Sequence, residues 1–455
     1  MKEAEENELS KYCLIVLIIF AFIGTGASIS YGETKSSGGF FTKSVAYLQP
    51  LGSNSSIKPL ITTNDSIGGG YTFPQVPDGL GAMINNNGTV SVFVNHELKN
   101  GEHSEYAKVS LLTLNRTGGI LYGKLIDNGS SKYNALCSAY LITGNGFSRP
   151  IFVTNEEFDD GIVIAYDAIN GNKTEMPWLG KFSHENTILI PNNENKTILL
   201  ATEDGKFDHS QLYMYVADSP NDILHGKGQL YVFVGDGQNM TSFRDLKKGQ
   251  AYQGHFEPLV WDWKTQNASK LEDEIQQKNG LDFIRLEDIH YDQNNNSIIY
   301  VADTGDSGPG QQYKNGRIYS FEIEPVSNNS SSSKQYLAKF AVILDGDAGD
   351  PIRNPDNLAT SANSLMIQED LNDYNRIENG TNARIWQYDL NTRDIKPVVI
   401  LNQSPDASNP KAGAWESSGI IDVSKIFGKN TWLVDVQAHS INEGGQLLLM
   451  TVPNS

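Results

Sequence analysis

Six short segments of the chain end their strands on side chains that can bind metals or transfer protons. Val92 and Val94 alternate as in a strand, which then stops on Asn95, His96 and Glu97. A polar residue, a strand, a turn, a second strand and a polar cluster recur in this order. The six segments are 77–97, 137–157, 184–204, 287–306, 355–370 and 416–439. Their carboxylate, amide, imidazole and thiol groups suit metal ions, so the segments predict a shared metal-binding edge.

The first strand of each segment begins beside an acid or a cysteine. These residues are Asp78, Cys137, Glu185, Glu287, Asp356 and Glu416. Turn sequences such as NNNG and TGNG separate the two strands and indicate β-hairpins. The start of one hairpin strand and the end of the next lie together, so each hairpin presents its polar groups at one edge. Carboxylates gathered at one place raise one another's pKa unless cations neutralise them.

The sequence pattern also predicts short strands in the rest of the chain, with one candidate surface helix at 270–280. Six hairpins, each with further strands, predict an all-β fold, a six-bladed β-propeller with irregular blades and loop insertions. Radial repetition would bring the six polar edges to one axis. The segment 329–334, NSSSSK, is expected to be a polar loop within this domain.

The N-terminus predicts export. Residues 12–28 contain an apolar run that is short for a bilayer span and is followed by small residues. We expect a signal peptide or N-terminal membrane anchor at 1–30, a lead-in segment at 31–70 and the propeller at 71–455. Fourteen Asn-X-Ser/Thr sequons, between Asn54 and Asn402, are typical of a glycoprotein. The expected location is therefore extracellular or on the cell surface.

Charge and motifs exclude several classes of function. The chain of 455 residues has a formal net charge of −19, which argues against a nucleic-acid partner and against membrane contact other than through the N-terminal segment. We expect a monomer. No serine nucleophile elbow and no His-Glu-x-x-His zinc motif occur in the sequence. Cys137 is the single cysteine outside the apolar N-terminal segment, and it is either a small buried residue or a metal ligand.

Several motifs occur in an order that resembles one known family. They are VFVNHE (92–97), FVTNEE (152–157), KFSHE (181–185), RLEDI (285–289), PDNLATSANSLMIQED (355–370) and, within 415–440, WESSG and VQAHS. Together they resemble the PhoX family of exported alkaline phosphatases. The resemblance implies a six-bladed propeller that holds iron and calcium ions and cleaves small phosphomonoesters to release phosphate.

The resemblance also implies roles for individual residues. Cys137 is similar to the family's iron-binding cysteine, and Glu185 and Glu287 are similar to its iron-binding glutamates. Asn95 and Arg285 resemble the pair that contacts phosphate and are the expected catalytic residues. Further acids are expected to bind calcium or to support the ligands: Glu97, Glu156, Asp288, Asp356 and Glu416.

Two other functions remain open from the residues alone. One is a non-catalytic, calcium-binding propeller at the cell surface. The other is a propeller hydrolase, similar to phytases or lactonases, that uses calcium only. Both would use the carboxylates without requiring a metal-bound Cys137.

Overall fold

Short antiparallel strands are the main secondary structure of the computed structural model. The structure describes residues 38–191, 196–205, 209–237, 240–306, 312–324, 335–371, 375, 381–406 and 413–453. The predicted leader, the polar loop at 329–334 and five of the sequons lie outside these residues. No helix among the described residues has the length and apolar character needed to cross a bilayer.

The strands are numbered in chain order. The first fourteen are β1 (Leu48–Pro50), β2 (Ser56–Thr62), β3 (Ser66–Ile67), β4 (Tyr71–Thr72), β5 (Pro77–Ile84), β6 (Val90–His96), β7 (Lys108–Leu114), β8 (Ile120–Asp127), β9 (Leu136–Ile142), β10 (Ile151–Glu156), β11 (Val163–Asp167), β12 (Lys173–Glu175), β13 (His184–Ile190) and β14 (Thr197–Glu203). The others are β15 (Leu212–Ala217), β16 (Gly228–Gly235), β17 (Ala251–Pro258), β18 (Leu286–Tyr291), β19 (Ile298–Asp303), β20 (Arg317–Glu324), β21 (Gln335–Asp345), β22 (Pro355–Thr360), β23 (Ser364–Glu369), β24 (Arg384–Asp389), β25 (Ile395–Leu401), β26 (Glu416–Asp422), β27 (Thr431–Ala438) and β28 (Gly444–Thr451).

Helices are few and short in the described part of the chain. The α-helices are α1 (Pro220–Ile223), α2 (Ala268–Lys278) and α3 (Ser424–Phe427), and 3-10 turns span Pro177–Leu179, Phe243–Asp245 and Gly346–Ala348. Helix α2 corresponds to the helix predicted at 270–280. It begins earlier because the side chain of Asn267 caps the backbone N–H of Lys270, and it ends at Asn279, which adopts the left-handed conformation.

The strands form sheets of consecutive antiparallel strands. The sheet orders are β5-β6-β7-β8, β12-β11-β10-β9, β13-β14-β15-β16-β17-β21-β20-β19-β18, β1-β25-β24-β23-β22, β2-β28-β27-β26 and the small pair β3-β4. The first strands of the six predicted hairpins are β5, β9, β13, β18, β22 and β26. Each contacts the next in this order, and β26 contacts β5 again. The sheets therefore have a propeller-like arrangement, and the predicted all-β class is confirmed.

Each sheet is packed between two neighbours. In β27, Trp432 and Val434 join the apolar core that includes Ile385, whereas the intervening Leu433 joins the core that includes Leu80 and Val92. Successive side chains of a strand point to opposite faces, so a strand buried on both faces is apolar at successive positions. This packing holds the inner strands in their order around the axis.

The N-terminal strands complete sheets that are otherwise built from the C-terminal part of the chain. β1 pairs with β25, with Leu48 opposite Leu401. β2 pairs with β28 over its whole length, from Ser56 opposite Thr451 to Thr62 opposite Gln446. Strands before residue 70, within the segment predicted as a lead-in, therefore form the outer edges of two sheets.

Candidate functional site

Each of the six hairpins has a register shift, a β-bulge, close to the first residues of its inner strand. The shifts in the inner strands lie between Pro77 and Leu80, Leu136 and Ala139 (opposite Thr154 and Glu156), His184 and Thr187, Leu286 and Ile289, Pro355 and Leu358, and Ser417 and Ile420. A bulge interrupts the alternation of side chains and re-aims them. The polar side chains at these positions therefore depart from the regular alternation between the two faces of the strand.

The ligand-bearing side chains from all six hairpins meet in one continuous cluster. Four overlapping groups have ligand atoms within 4.8 Å of one another: Asp78, Glu97 and Cys137; Cys137, Glu157 and Glu185; Glu185, Glu287 and Asp356; and Asp356, Asp370 and Glu416. We call these nine residues the acidic cluster. The structure thus brings together six of the eight residues predicted as metal ligands, with Cys137 at the junction of two groups.

Two predicted ligands lie outside the acidic cluster because backbone donors occupy them. Glu156 accepts the backbone N–H of Asn134 at 2.9 Å. Asp288 accepts hydrogen bonds from Asn186 Nδ2 (2.5 Å), Ile289 N (2.7 Å) and Leu358 N (2.8 Å). Asp288 therefore joins neighbouring inner strands to one another.

Three members of the acidic cluster were not predicted as ligands. Asp78 and Asp370 stand at hairpin ends, where the sequence marks acids without distinguishing ligands from turn residues. Glu157 directly follows Glu156 at the end of β10, and of the two carboxylates only that of Glu157 joins the acidic cluster. The sequence feature that could have indicated Glu157 as a ligand was its position next to Glu156.

Two polar residues outside the acidic cluster, Ser138 and Asn357, support one of its members through hydrogen bonds. Ser138 Oγ donates to Glu185 Oε1 at 2.6 Å, and Asn357 Nδ2 donates to Ser138 Oγ at 2.8 Å. Ser138 belongs to β9 and Asn357 to β22, which are three positions apart in the ring of six strands. The hydrogen bond between Asn357 and Ser138 therefore crosses the axis. Through Ser138 it helps to fix the orientation of Glu185.

We expect Gly79→Ala to destabilise the protein and to disturb the cluster. Gly79 follows Asp78 in its bulge, and a Cβ there would lie 2.5 Å from both Cys137 O and Ala139 N. Overpacking of this kind costs about 1–3 kcal/mol in the free energy of unfolding. Denaturant unfolding measures the loss, and Gly68→Ala, where nothing lies within 4 Å, is the matched control. Equal stability of the two variants would contradict the predicted crowding.

Burial and mutual repulsion hold the cluster acids in a state that attracts protons or cations. Burial, with the charge of Glu97, raises the pKa of Asp78 to about 8. Burial, followed by Asp78 and Glu185, raises the pKa of the Cys137 thiol well above its usual value. Burial also raises the pKa of Glu185, with Asp78 adding to the shift, and of Glu287, with Asp204 adding to it. The described residues supply too little positive charge to neutralise the cluster.

Unpaired acceptors support the same interpretation. Asp78 Oδ1, Asn95 Oδ1, Asn155 Oδ1 and Gln437 Oε1 are buried and have no hydrogen-bond donor among the described residues. Buried oxygen atoms without donors are costly, and cations or water satisfy them in folded proteins. Carboxylate oxygens suit calcium, and a thiol among them suits a transition metal. The donor set therefore fits a centre of several metal ions.

Arg285 lies beside the acidic cluster and is held in place by carboxylates. Its Nε donates to Asp204 Oδ1 at 2.8 Å, its Nη2 also bonds to Asp204, and Nη2 lies 3.5 Å from Glu287 Oε1. The side chain remains 32% exposed. The guanidinium is therefore oriented by Asp204 while one side of it faces a cavity.

Asn95, the other predicted phosphate contact, is turned towards the protein. Its Nδ2 donates to Cys137 O and to Thr154 Oγ1, both at 2.6 Å. These two bonds use both hydrogens of the amide, so none remains for a substrate oxygen in this arrangement. The bond to Cys137 O instead positions the backbone that carries the thiol. A substrate contact by Asn95 stays a prediction.

A cavity of about 790 Å³ opens beside the acidic cluster. Its lining includes Glu157 of the cluster, Arg285, Asp204, Lys99 and Lys181. Burial lowers the pKa of Lys99, but the neighbouring charges of Glu157 and other acids outweigh it, so that the pKa is raised. The cavity thus places Glu157 of the acidic cluster beside the guanidinium of Arg285 and the ammonium of Lys99, an arrangement that suits an anionic ester.

Comparisons with known proteins give one family match and several structures of similar fold. The family model described as "Alkaline phosphatase PhoX" matches residues 127–408. Among solved structures, PhoX of Pseudomonas fluorescens in complex with vanadate is similar in fold, with a TM-score of 0.61 and 15% identity over 91% of this chain and 98% of that one. An α-L-arabinanase of Penicillium chrysogenum gives a TM-score of 0.42 and 8% identity over 82% of this chain and 93% of that one. No curated protein matches the chain.

Proposed function

The chain belongs to the alkaline phosphatase PhoX family, and from this membership we propose that it is an exported, metal-dependent phosphomonoesterase with a cluster of several ions. The family match covers more than half of the chain and confirms both the resemblance given by the ordered motifs and the predicted phosphatase class. One observation carries the proposal beyond the family: the acidic cluster, which contains a thiol, borders a cavity that is lined by its member Glu157 and by the oriented Arg285.

We propose six blades for the propeller. The nine-stranded sheet contains two of the six inner strands, β13 and β18, at its two edges. Two antiparallel blades, β13–β16 and β18–β21, are joined within it by β17, which pairs with both β16 and β21. The joining strand explains why the six inner strands belong to only five sheets.

The acidic cluster offers two types of ligand set. Cys137, with Glu185 and the neighbouring Glu287, would hold iron. The groups at either end, which contain Asp78 and Glu97 or Asp356 and Glu416, have oxygen donors that suit calcium. The ions would neutralise the non-bridging phosphate oxygens and activate the nucleophile. If calcium alone is bound, Cys137 keeps the thiol hydrogen that it donates to Asp78 Oδ2 at 3.3 Å.

The protein's own residues orient the ester. The planar guanidinium of Arg285 can bind two phosphate oxygens, and Asp204 fixes its plane before the substrate arrives. Glu287, near Arg285 Nη2, links this orientation to the acidic cluster. Ser138 and Asn357 keep Glu185 from turning away. Preorganised charges of this kind lower the barrier because they need no rearrangement during the reaction.

Arg285→Ala is expected to lower kcat/KM for p-nitrophenyl phosphate by about 100-fold or more, because the variant loses the fixed donor of charge-assisted hydrogen bonds to the phosphate. Steady-state kinetics on metal-loaded protein measures the effect. Arg149→Ala is the control, since Arg149 forms a pair with Asp167 away from the cavity. A loss of less than threefold would exclude a role for Arg285 in substrate binding.

Release of p-nitrophenol from p-nitrophenyl phosphate tests the proposed function directly. Metal-loaded protein should hydrolyse the monoester, and a chelator should abolish the reaction until metal is restored. Elemental analysis of the active protein identifies the ions. Calcium binding without turnover would instead support a non-catalytic propeller at the cell surface.

Export is proposed from the leader and from the positions of the sequons. Several sequon asparagines among the described residues are exposed: Asn54, Asn64, Asn87, Asn128, Asn172, Asn267 and Asn295. Oligosaccharides at these positions would meet solvent without disturbing a core. Recovery of the protein outside the cytoplasm, with glycan-dependent mobility on a gel where the host glycosylates, would support this location.

A further inference from the structure

Two lysines line the cavity beside the acidic cluster, and their ammonium groups differ in their partners. Lys181 Nζ donates to Trp263 O at 3.2 Å and to Gln266 O at 3.5 Å, so it is engaged by the protein. Lys99 Nζ has no hydrogen bond or salt bridge among the described residues, although the residue is half-buried. A partly desolvated ammonium group without a partner gains free energy when it binds an anion.

The backbone of Lys99 is fixed on both sides. Its N–H donates to His103 Nδ1 at 2.9 Å, and its carbonyl accepts the N–H of His103 at 2.9 Å. The preceding residue, Leu98, accepts the N–H of Ala135 at 2.9 Å, close to the strand that carries Cys137. The backbone at Lys99 is therefore held close to the segment that carries Cys137.

Lys99 and Arg285 both line the cavity. Glu157, a member of the acidic cluster, interacts electrostatically with both cations. Asp204 occupies Nε and Nη2 of Arg285, and the structure gives no such carboxylate bond to Lys99. An anion that reaches the cluster through this cavity meets one oriented guanidinium and one ammonium free to approach it.

We propose that Lys99 binds the phosphate group of the substrate together with Arg285 and favours dianionic phosphomonoesters over monoanionic diesters. The inference rests on the proposed phosphatase function. Lys99 would supply a second phosphate contact, which the inward-facing amide of Asn95 does not provide in this structure. A monoester has one more negative charge than a diester, and a second cation therefore raises its affinity more.

The test compares Lys99→Met, Lys99→Arg and Lys181→Met in metal-loaded protein. Calorimetric titration with inorganic phosphate should give about tenfold weaker binding for Lys99→Met, which loses one charge-assisted hydrogen bond. Lys99→Arg should stay within about threefold of the unsubstituted protein, because the charge is kept. Lys181→Met should change phosphate binding by less than about twofold, because its ammonium is already engaged.

Kinetics adds a second, independent readout. Lys99→Met should raise KM for p-nitrophenyl phosphate about tenfold with a smaller change in kcat, and it should lower the preference over bis-p-nitrophenyl phosphate. Equal effects of Lys99→Met and Lys181→Met, in variants with unchanged melting temperature, would overturn the inference. Lys99-dependent phosphate binding without hydrolysis by the unsubstituted protein would support the inference and overturn the proposed phosphatase function instead.

Discussion

Cys137→Ser is expected to remove the transition metal and to lower kcat/KM by at least about 100-fold. Substitutions of residues that only support a metal ligand cost about 10–100-fold, so loss of a ligand itself should cost more. Cys137 belongs to two of the four groups in the acidic cluster, and its loss divides the cluster at their junction. A serine hydroxyl can keep the hydrogen bond to Asp78, but it does not ionise as a thiol does when a metal binds.

Metal content and activity should be measured on the same preparations of Cys137→Ser. Cys13→Ser is a control for general thiol effects, since Cys13 is the other cysteine of the chain. Cys137→Asp provides a second comparison, because it supplies a charged oxygen ligand that suits calcium. Full activity of Cys137→Ser with calcium alone would reject the mixed-metal centre and favour the calcium-only hydrolase.

Removal of the metals should make stability depend strongly on pH. In the metal-free protein, burial raises the pKa of Asp78 to about 8, whereas an unfolded aspartate titrates near 3.9. The folded state then binds more protons than the unfolded state between these values, so stability falls as pH rises through the window. From pH 6.5 to 8, Asp78 alone would account for about 2 kcal/mol. Burial also raises the pKa of six other cluster acids, which add to this loss: Glu97, Glu157, Glu185, Glu287, Asp356 and Glu416.

Metal-loaded protein should lack most of this dependence, because cations stabilise the ionised carboxylates. Thermal melting of chelated and loaded protein between pH 6.5 and 9 gives the comparison. Glu203, whose pKa burial also raises to about 8, belongs to no group of the acidic cluster and should contribute the same slope in both forms, similar in size to that of Asp78. Glu203→Gln should remove that slope and preserve the difference between the forms. Parallel curves for chelated and loaded protein would contradict a metal-neutralised cluster.

The sequence predicts which segments meet at the site, because hairpin geometry and strand alternation are local properties. It does not predict which of two neighbouring polar residues faces the axis. Donors from separate parts of the chain decide this, and they are placed by the pairing and packing of whole strands. Glu156 was therefore predicted in place of Glu157, and Asp288 was predicted as a ligand although three donors hold it.

The orientation of Asn95 was equally beyond the sequence. Its partners, Cys137 O and Thr154 Oγ1, come from the next hairpin of the chain. For an amide at the end of a strand, the sequence does not distinguish a side chain that faces a ligand from one that faces the neighbouring sheet. The cavity had no signal in the sequence either, since its lining comes from several separate segments.

The pairing of β2 with β28 has a consequence for biosynthesis. β2 emerges from the ribosome long before β28, so their pairing cannot form until β28 has been synthesised. Glu416 lies in the same sheet, on β26, and contributes to the last group of the acidic cluster. A prematurely terminated polypeptide that lacks β26–β28 therefore cannot assemble the full ligand set. Only a chain synthesised through these strands can therefore bring all nine side chains of the acidic cluster together.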